Sequence, residues 1–494
     1  MHFIANLTNK LSQLYPESKI YLVGGCVRDK LLSRPRIDYD LVVSGVPAKH
    51  LEKILQSLGS VKFVGKNFGV YKWRPKSIAS INVKTKRQIL EIDVALSREE
   101  KSYGTGQRRD FKITTNPNLP IEKDLARRDF TINAIAFDVQ KKQYIDPFGG
   151  RIDLQKKIIR CVGLPETRFR EDYSRILRAI RFSAQLGFMI EPKTWRAIKK
   201  MMPRLKTVAR EIIAAELVKA LSWQPNQTTE LLEKSGGWKI LVPEMNVLKT
   251  TRQPKSWHSE GNVWQHTKLA LKQIDQKKPL PWPNRPPKLG PFEPHLALAI
   301  LWHDLGKPSA RAKRAGRVTF YEHEKKGAQL AGRIITRLKL ASAGINKKWI
   351  QWLIQNHMVL FNSDPRKLKN TTVAKYFLND YYPSPLLLKL IEYDDRATIP
   401  AVKKTHRPSE LGIIKQRIKL LRSRPQKPLL NGDAVMALLN LPPGPAVGQA
   451  LNFLREAQLA GKIKDEVEAR ELILRKMSNS KIQMSIQDQM PNNK

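Results

Sequence analysis

The chain has 494 residues, a length that suits two to four domains, each with its own core, and excludes a single compact fold. Lys and Arg number 89 against 44 Asp and Glu, for a net charge of +45, so a polyanionic partner is expected, nucleic acid ahead of acidic lipid. Cys26 and Cys161 are far apart and sit in no CxxC or Cys/His pattern, which excludes a disulfide framework and a zinc finger.

The amino end lacks a basic region followed by an apolar core and a cleavage site. No run of about 18 apolar residues occurs either, so a soluble, cytoplasmic protein is expected. Phe3, Ile4, Leu7, Leu11 and Leu14 have helical spacing. IYLVGG, DYDLVVSG, SINVK and QILEIDVAL read as short strands of a small sheet. From Glu171 to Ser222 the apolar residues Ile176, Leu177, Ile180 and Ala184, then Ile212, Ile213, Leu217 and Leu221, recur at helical steps, and helical character persists to residue 477. The Pro-rich stretch 277–294 cannot continue a helix, a second break lies at 400–408, and the polar tail 478–494 is expected to be disordered. The fold class is α+β: a small α/β head, then a long all-α region.

YLVGGCVRDKLL ends a strand in Gly24-Gly25 and begins a helix near Val27. Glycines at such a turn let backbone amides approach a triphosphate, with Gly25 at the turn and Arg28 available to the phosphates. Asp38 and Asp40 are two apart on a strand, so both carboxylates share one face, an arrangement that two magnesium ions would stabilise. LEIDVALSR supplies a third acid, Glu91 or Asp93, again two apart on one face.

GGCVRDKLL, DYDLVV, ARRDFTINAIAFD, DPFGGRIDL and REDYSRILRAIRF, in this order over residues 18 to 240, resemble the class II tRNA nucleotidyltransferases and bacterial poly(A) polymerases. The resemblance implies a polymerase-beta-like mixed sheet in the head. It also implies catalytic metal binding by Asp38 and Asp40, with Asp93 favoured as third carboxylate by its offset from Arg98. Arg128, Asp129 and Asn133 of RRDFTINA would contact the incoming nucleotide, and DPFGG would be a hinge.

Asp172 and Arg175 of EDYSR are three apart, neighbours on a helix, and present an acceptor beside a fork of donors. Cytosine and adenine both carry an amino donor next to a ring-nitrogen acceptor, so this edge would choose CTP and ATP. Arg178 and Arg181 follow it around the helix toward phosphate or the primer end.

Farther along, WHSEGNVWQHT, LWHDLGKP, FYEHEKKG, QNHM and EYDDRA resemble an HD-type metal-dependent phosphohydrolase, with His266, His303, Asp304, His357 and Asp394 as the implied ligands of a divalent transition metal. The expected divisions are a catalytic head at 1–158, a neck and body at 159–250, an HD-type domain at 251–405, a tRNA-binding arm at 406–477 and a tail at 478–494. The expected activity is template-independent addition of CCA to tRNA from CTP and ATP, with Mg2+ in the head. The alternatives are a poly(A) polymerase, an A-adding or CC-adding specialist, and an HD phosphohydrolase with an RNA-binding head.

Overall fold

The computed structural model of the protein describes residues 2–34, 39–64, 70–76, 91–106, 111–275, 289–361, 363–379, 381–401, 407–424 and 427–478. Asp38, the SINVK strand, most of the Pro-rich stretch and nearly all of the tail lie outside the described residues. Two compact units form: Met1–Asn246 with Ile274–Ala297 and Ile334–Ile345, and Val247–Gln273 with Leu298–Arg333 and Asn346–Lys494.

The first unit opens on a mixed sheet. Its strands are β1 (Lys19–Val23), β2 (Tyr39–Ser44), β3 (Gly59–Val64), β4 (Val70–Pro75), β5 (Ile92–Leu96), β6 (Arg98–Ser102), β7 (Phe111–Thr115), β8 (Ala136–Asp138) and β9 (Gln143–Ile145). The order is β3-β4-β5-β2-β1-β8-β9, with β6 and β7 paired apart from it. β2 and β5 run parallel and the other neighbours antiparallel. The apolar runs of β1 and β2 are buried on both sides, which is why they read as continuous rather than alternating. On one face Tyr21, Val23 and Val42 pack with Ile121, Leu125, Ala134 and Val162. The predicted first helix is His2–Leu14, and its Phe3 meets Tyr39 and Trp73 edge-on at 5.4 and 6.3 Å. Leu7 and Leu11 are fully buried, so alanine at either costs about 2–5 kcal/mol.

Helices then take over, beginning at prolines whose missing amide costs nothing there: Pro165–Glu171, Pro192–Met201 and Pro225–Lys234. Ser174–Leu186 stops at left-handed Gly187, where the amides of Gly187 and Phe188 both donate to the Ser183 carbonyl. Arg210–Trp223 packs against it.

The described residues of the second unit are almost wholly helical, with one short hairpin among them, Ala312–Arg314 with Arg317–Thr319. Near the carboxyl end Gly432–Leu439, Pro445–Ala460 and Glu466–Ser478 close around Val435, Leu454, Ile463 and Ile473. Among the described residues no helix is long and apolar enough to cross a membrane.

Candidate active site and metal centre

The parallel register of β2 and β5 pairs Asp40 with Asp93, so the two carboxylates stand in one row on one face. Glu91 lies just before β5 and is held by Arg74 at 3.3 Å. Lys72, the β4 partner of Asp93, places its ammonium 2.6 Å from Asp93 and 3.5 Å from Glu91. Burial works against that charge, but the two acids hold the Lys72 pKa above its usual value. The row therefore already attracts a cation.

Gly24 sits at φ +69°, and a Cβ there would come within 2.9 Å of Arg128 Nη1 and 3.4 Å of Asp40 Oδ2. The close approach requires glycine, and it brings the turn, Arg128 and Asp40 to one point. Gly25 starts the Gly25–Leu31 helix, with Arg28 Nη2 3.6 Å from where its Cβ would be. Arg128 also donates to buried Asp124 at 3.0 Å, and Arg127 donates to the same carboxylate.

Arg28 is buried, donating to Asn133 Oδ1 at 2.8 Å and to Asp29 at 2.8 Å. Asn133 Nδ2 donates to Asp129 Oδ1 at 3.1 Å, and the Phe130 amide donates to the same oxygen at 2.8 Å. Arg178 donates to Asp129 Oδ2 through Nε at 2.8 Å and Nη2 at 2.6 Å. Burial would raise the Asp129 pKa, but Arg178, Asn133 and Arg175 outweigh it and hold it well below the usual carboxylate range. Buried Glu216 then takes Arg181 Nε at 2.5 Å and lies 3.8 Å from Arg178. The Phe182 ring lies among these cations, 5.2 Å from Arg28, 5.5 Å from Arg178 and 3.8 Å from Arg181.

The helical premise for the Asp172 and Arg175 edge needs correction. Asp172 has extended backbone between Pro165–Glu171 and Ser174–Leu186, and its Oδ1 accepts from the Ser174 amide at 2.8 Å. Short acids favour such capping positions over a helix interior. Arg175 donates to Glu171 at 2.7 Å and to the Arg168 and Arg127 carbonyls at 3.1 and 3.2 Å. Both side chains are nearly buried, Arg175 in the first turn of the Ser174–Leu186 helix and Asp172 in the extended link just before it. Tyr173, between them, packs on Gly106, whose φ of +73° leaves no room for a Cβ against the ring. The Tyr173 amide donates to the Gly106 carbonyl at 3.0 Å.

In the second unit, His266, His303, Asp304, His357 and Asp394 come together. His266 Nε2 is 2.8 Å from Asp394 Oδ1, and His303 Nε2 is 3.5 Å from the same oxygen and 3.3 Å from Asp304 Oδ2. Nδ1 of His303 faces the Ile300 carbonyl at 2.8 Å, and Nδ1 of His357 faces that of Ile354 at 2.6 Å. His323 does the same with Phe320 at 2.8 Å, and its Nε2 lies 3.4 Å from that of His357 and 3.5 Å from Asp304. Nδ1 of His266 is held by Glu260 at 2.9 Å, and Glu260 also meets His258 at 2.6 Å. His266, His303, His323 and His357 thus each have Nδ1 against an acceptor oxygen, which leaves Nε2 facing the cluster, the orientation that metal-bound histidines take.

His303, Asp304 and His357, and likewise His266, His303 and Asp394, bring donor atoms within 4.8 Å of one another. His303 Nε2 and Asp304 Oδ1 are buried without a hydrogen-bond partner, while Asp304 Oδ2 faces the Lys307 ammonium, and a divalent cation fits this donor set. Burial lowers the His303 pKa, yet Asp304 and Asp394 more than offset it and push it up to about 10. Burial with the neighbouring His303 and His323 takes His357 down to about 3. Lys307 sits 2.7 Å from Asp304.

Residues 20–160 match the poly A polymerase head domain, and residues 187–248 match the probable RNA and SrmB-binding site of polymerase A. The multifunctional CCA protein of Xylella fastidiosa is 35% identical over 328 residues, covering 65% of this chain and 70% of that protein. The A-adding tRNA nucleotidyltransferase of Deinococcus radiodurans is 32% identical over 390 residues, covering 76% and 84%. The chain belongs to the tRNA nucleotidyltransferase family. The CCA-adding enzyme of Bacillus stearothermophilus in complex with CTP has the same fold, with a TM-score of 0.62 at 23% identity over 97% of this chain and 98% of that one. The Thermotoga maritima CCA-adding enzyme complexed with tRNA gives 0.58 at 21% identity over 96% and 95%. The α+β class expected from sequence holds for this nucleotidyltransferase.

Several residues of the two sites escaped the sequence reading. Lys72 and Glu216 had no motif to mark them, because their partners Asp93 and Arg181 are distant along the chain, whereas Asp124 precedes Arg127 and Arg128 by three and four residues and Phe182 closes the REDYSRILRAIRF motif. His323 was legible in FYEHEKKG. Its companion signal is Gly306 of HDLGKP, where a Cβ would overlap the His323 carbonyl and stand 2.6 Å from the Gly327 amide. That glycine lets the HDLGK turn seat against the helix that begins at His323.

Proposed function

We propose that this nucleotidyltransferase adds CCA to the 3′ end of tRNA from CTP and ATP. The observation that carries the reading is the pairing of Asp40 with Asp93 beside the Gly24 turn and Arg128. Asp38 and Asp40, with Asp93 as third carboxylate, would hold Mg2+, which when bound lowers the pKa of the attacking hydroxyl and stabilises the leaving pyrophosphate. The RNA 3′ oxygen bonds to the α-phosphorus, the bond to pyrophosphate breaks, and Asp93 would take the hydroxyl proton. Asp172 accepts from the base's amino group and Arg175 donates to its ring nitrogen, which admits cytosine and adenine and rejects guanine and uracil. Arg28, Asn133, Asp129, Arg178 and Arg181 act as one braced frame, with Arg28 and Asn133 toward the triphosphate. Between 406 and 477 the helical arm would carry the tRNA through sequence-independent phosphate contacts.

The same reading gives the second unit a phosphohydrolase centre of HD type. His266, His303, Asp304, His357 and Asp394, joined by His323, would hold a divalent ion that activates water when bound. The water oxygen bonds to phosphorus, the ester P–O bond breaks, and the leaving oxygen takes a proton. Its substrates are phosphomonoesters or cyclic phosphates at RNA ends, so that a damaged end is cleaned before extension.

The test incubates the chain and magnesium with tRNA lacking its terminus, gives CTP and ATP singly and together, and sequences the 3′ ends. Arrest after CCA is the expected result. Addition of A alone to tRNA ending in CC would favour the A-adding reading, for which the Deinococcus relative is the precedent. Absence of any extension, with phosphate release that depends on His303 and Asp304, would overturn nucleotidyl transfer as the chain's activity.

A further inference from the structure

Three acceptors engage the Arg175 guanidinium. Nη1 donates to Glu171 Oε2 at 2.7 Å and to the Arg168 carbonyl at 3.1 Å, and Nη2 donates to the Arg127 carbonyl at 3.2 Å. The carboxylate oxygen that takes Arg175 is shared. Arg168, three residues before Glu171 on the Pro165–Glu171 helix, places its Nη1 3.0 Å from the same Oε2. Arg168 is itself fixed, since its Nε donates to the Val162 carbonyl at 3.3 Å and the Val162 amide donates to the Asp129 carbonyl at 3.2 Å. A continuous line of bonds thus runs from the Asp129 main chain through Val162, Arg168 and Glu171 to Arg175.

A guanidinium rejects uracil or guanine only if it cannot retreat. Both bases put an N–H where cytosine and adenine carry a ring-nitrogen acceptor, and an arginine free to swing aside would relieve that clash of donors. One carboxylate oxygen bridged by two guanidiniums is fixed from two directions, whereas Glu171 with Arg175 as its sole partner would rotate together with it. The side chains are 15% exposed at Arg168, 24% at Glu171 and 9% at Arg175, so the two ion pairs lie largely out of water and escape the weakening that exposed pairs suffer.

We propose that Arg168 is a positioning residue for base selection. Through Glu171 it locks the guanidinium plane of Arg175, and the rigidity so gained is what turns away uracil and guanine. The inference rests on the reading of Asp172 and Arg175 as the base edge. Arg168 does not meet the nucleotide in this scheme, so its loss acts on the choice between bases and not on one base alone. A side chain that only held two helices together would, when removed, slow every nucleotide by the same factor.

The experiment uses the full chain with magnesium and reads ratios of kcat/KM: CTP against UTP on tRNA lacking its terminus, and ATP against GTP on tRNA ending in CC. Arg168→Gln should lower these ratios about ten-fold, the scale of one charge-assisted hydrogen bond. Arg168→Lys keeps a cation for Glu171 but loses the bond to Val162, and should lower them only about two-fold; it is the variant read if Arg168→Gln does not fold. Glu171→Gln cuts the line one step nearer Arg175 and should lower the ratios at least as far as Arg168→Gln. Adding Arg168→Gln to Glu171→Gln should lower them no further, and a further fall overturns the route through Glu171. Losses of equal size for all four nucleotides, which leave the ratios unchanged, overturn the brace while the base-edge reading stands. A parent chain that discriminates in neither comparison overturns the base-edge reading, and the brace with it.

Discussion

Arg178 grips Asp129 through Nε and Nη2 at 2.8 and 2.6 Å on one oxygen, while the other oxygen takes Asn133 and the Phe130 amide. Every lone pair used on this buried acid is committed inside the protein, so Asp129 works as the keystone of the frame behind the nucleotide site. Asp129→Asn removes the nearer of the two counter-charges of Arg178, the other being Glu216, and should cost about 3 kcal/mol of stability at pH 7. The folded-state pKa is depressed, so this stabilisation is present above the unfolded value of about 3.9 and is lost as pH falls toward the folded one. Melting curves of the two proteins should accordingly differ most near pH 7 and converge below about pH 4.

Asp40→Ala should abolish nucleotide incorporation and leave tRNA binding nearly intact, as measured by 3′-end extension and by filter binding. Among the two acids near β5, Asp93→Ala should lower incorporation by about 1,000-fold, comparable to losing a major electrostatic contact to the transition state. Glu91→Ala should stay within a few-fold of the parent, because Glu91 is paired with Arg74 and not with Asp40. The reverse ranking would place the third carboxylate at Glu91.

Lys72 competes with any divalent ion for Asp93. Lys72→Met should therefore lower the magnesium concentration that gives half-maximal incorporation, by about two- to five-fold on the scale of a partly exposed ion pair. A magnesium titration of the extension rate reads this directly, and an increase instead would show that the lysine aids metal binding.

Glu260 holds His266 from behind, and removing such a support weakens metal sites by about 10- to 100-fold. Glu260→Gln should lose metal from the second unit in a dialysis and elemental analysis series. Incorporation of CTP and ATP should be unaffected, since Glu260 belongs to the other compact unit.

How much was legible in the sequence follows from how far apart partners lie. The reading of Asp40 from the DxD spacing uses only the alternation of side chains along a strand, and that rule is local. The choice between Glu91 and Asp93 is not local: both share a face, and only the β2 and β5 register decides which stands beside Asp40. Asp172 was misread for a different reason. Its three-residue offset from Arg175 suits a helix, but a short acid followed two residues on by a free amide caps one instead, and the Asp172 Oδ1 bond to Ser174 does so here. Glu216 carries no local signal at all, since its meaning comes from arginines some 35 residues earlier. SINVK and Asp38 fall outside the described residues.

In the histidine cluster, the bracing is of two kinds, with unequal exposure to mutation. His303, His323 and His357 are each steadied by a main-chain carbonyl three residues earlier, which a point substitution at the acceptor position does not remove. His266 relies on the carboxylate of Glu260. As lineages diverge, three of the imidazoles keep their aim through main-chain carbonyls, while the fourth depends on a single codon. Loss of that codon is the shortest mutational route by which a descendant would retain RNA extension and retire the second centre.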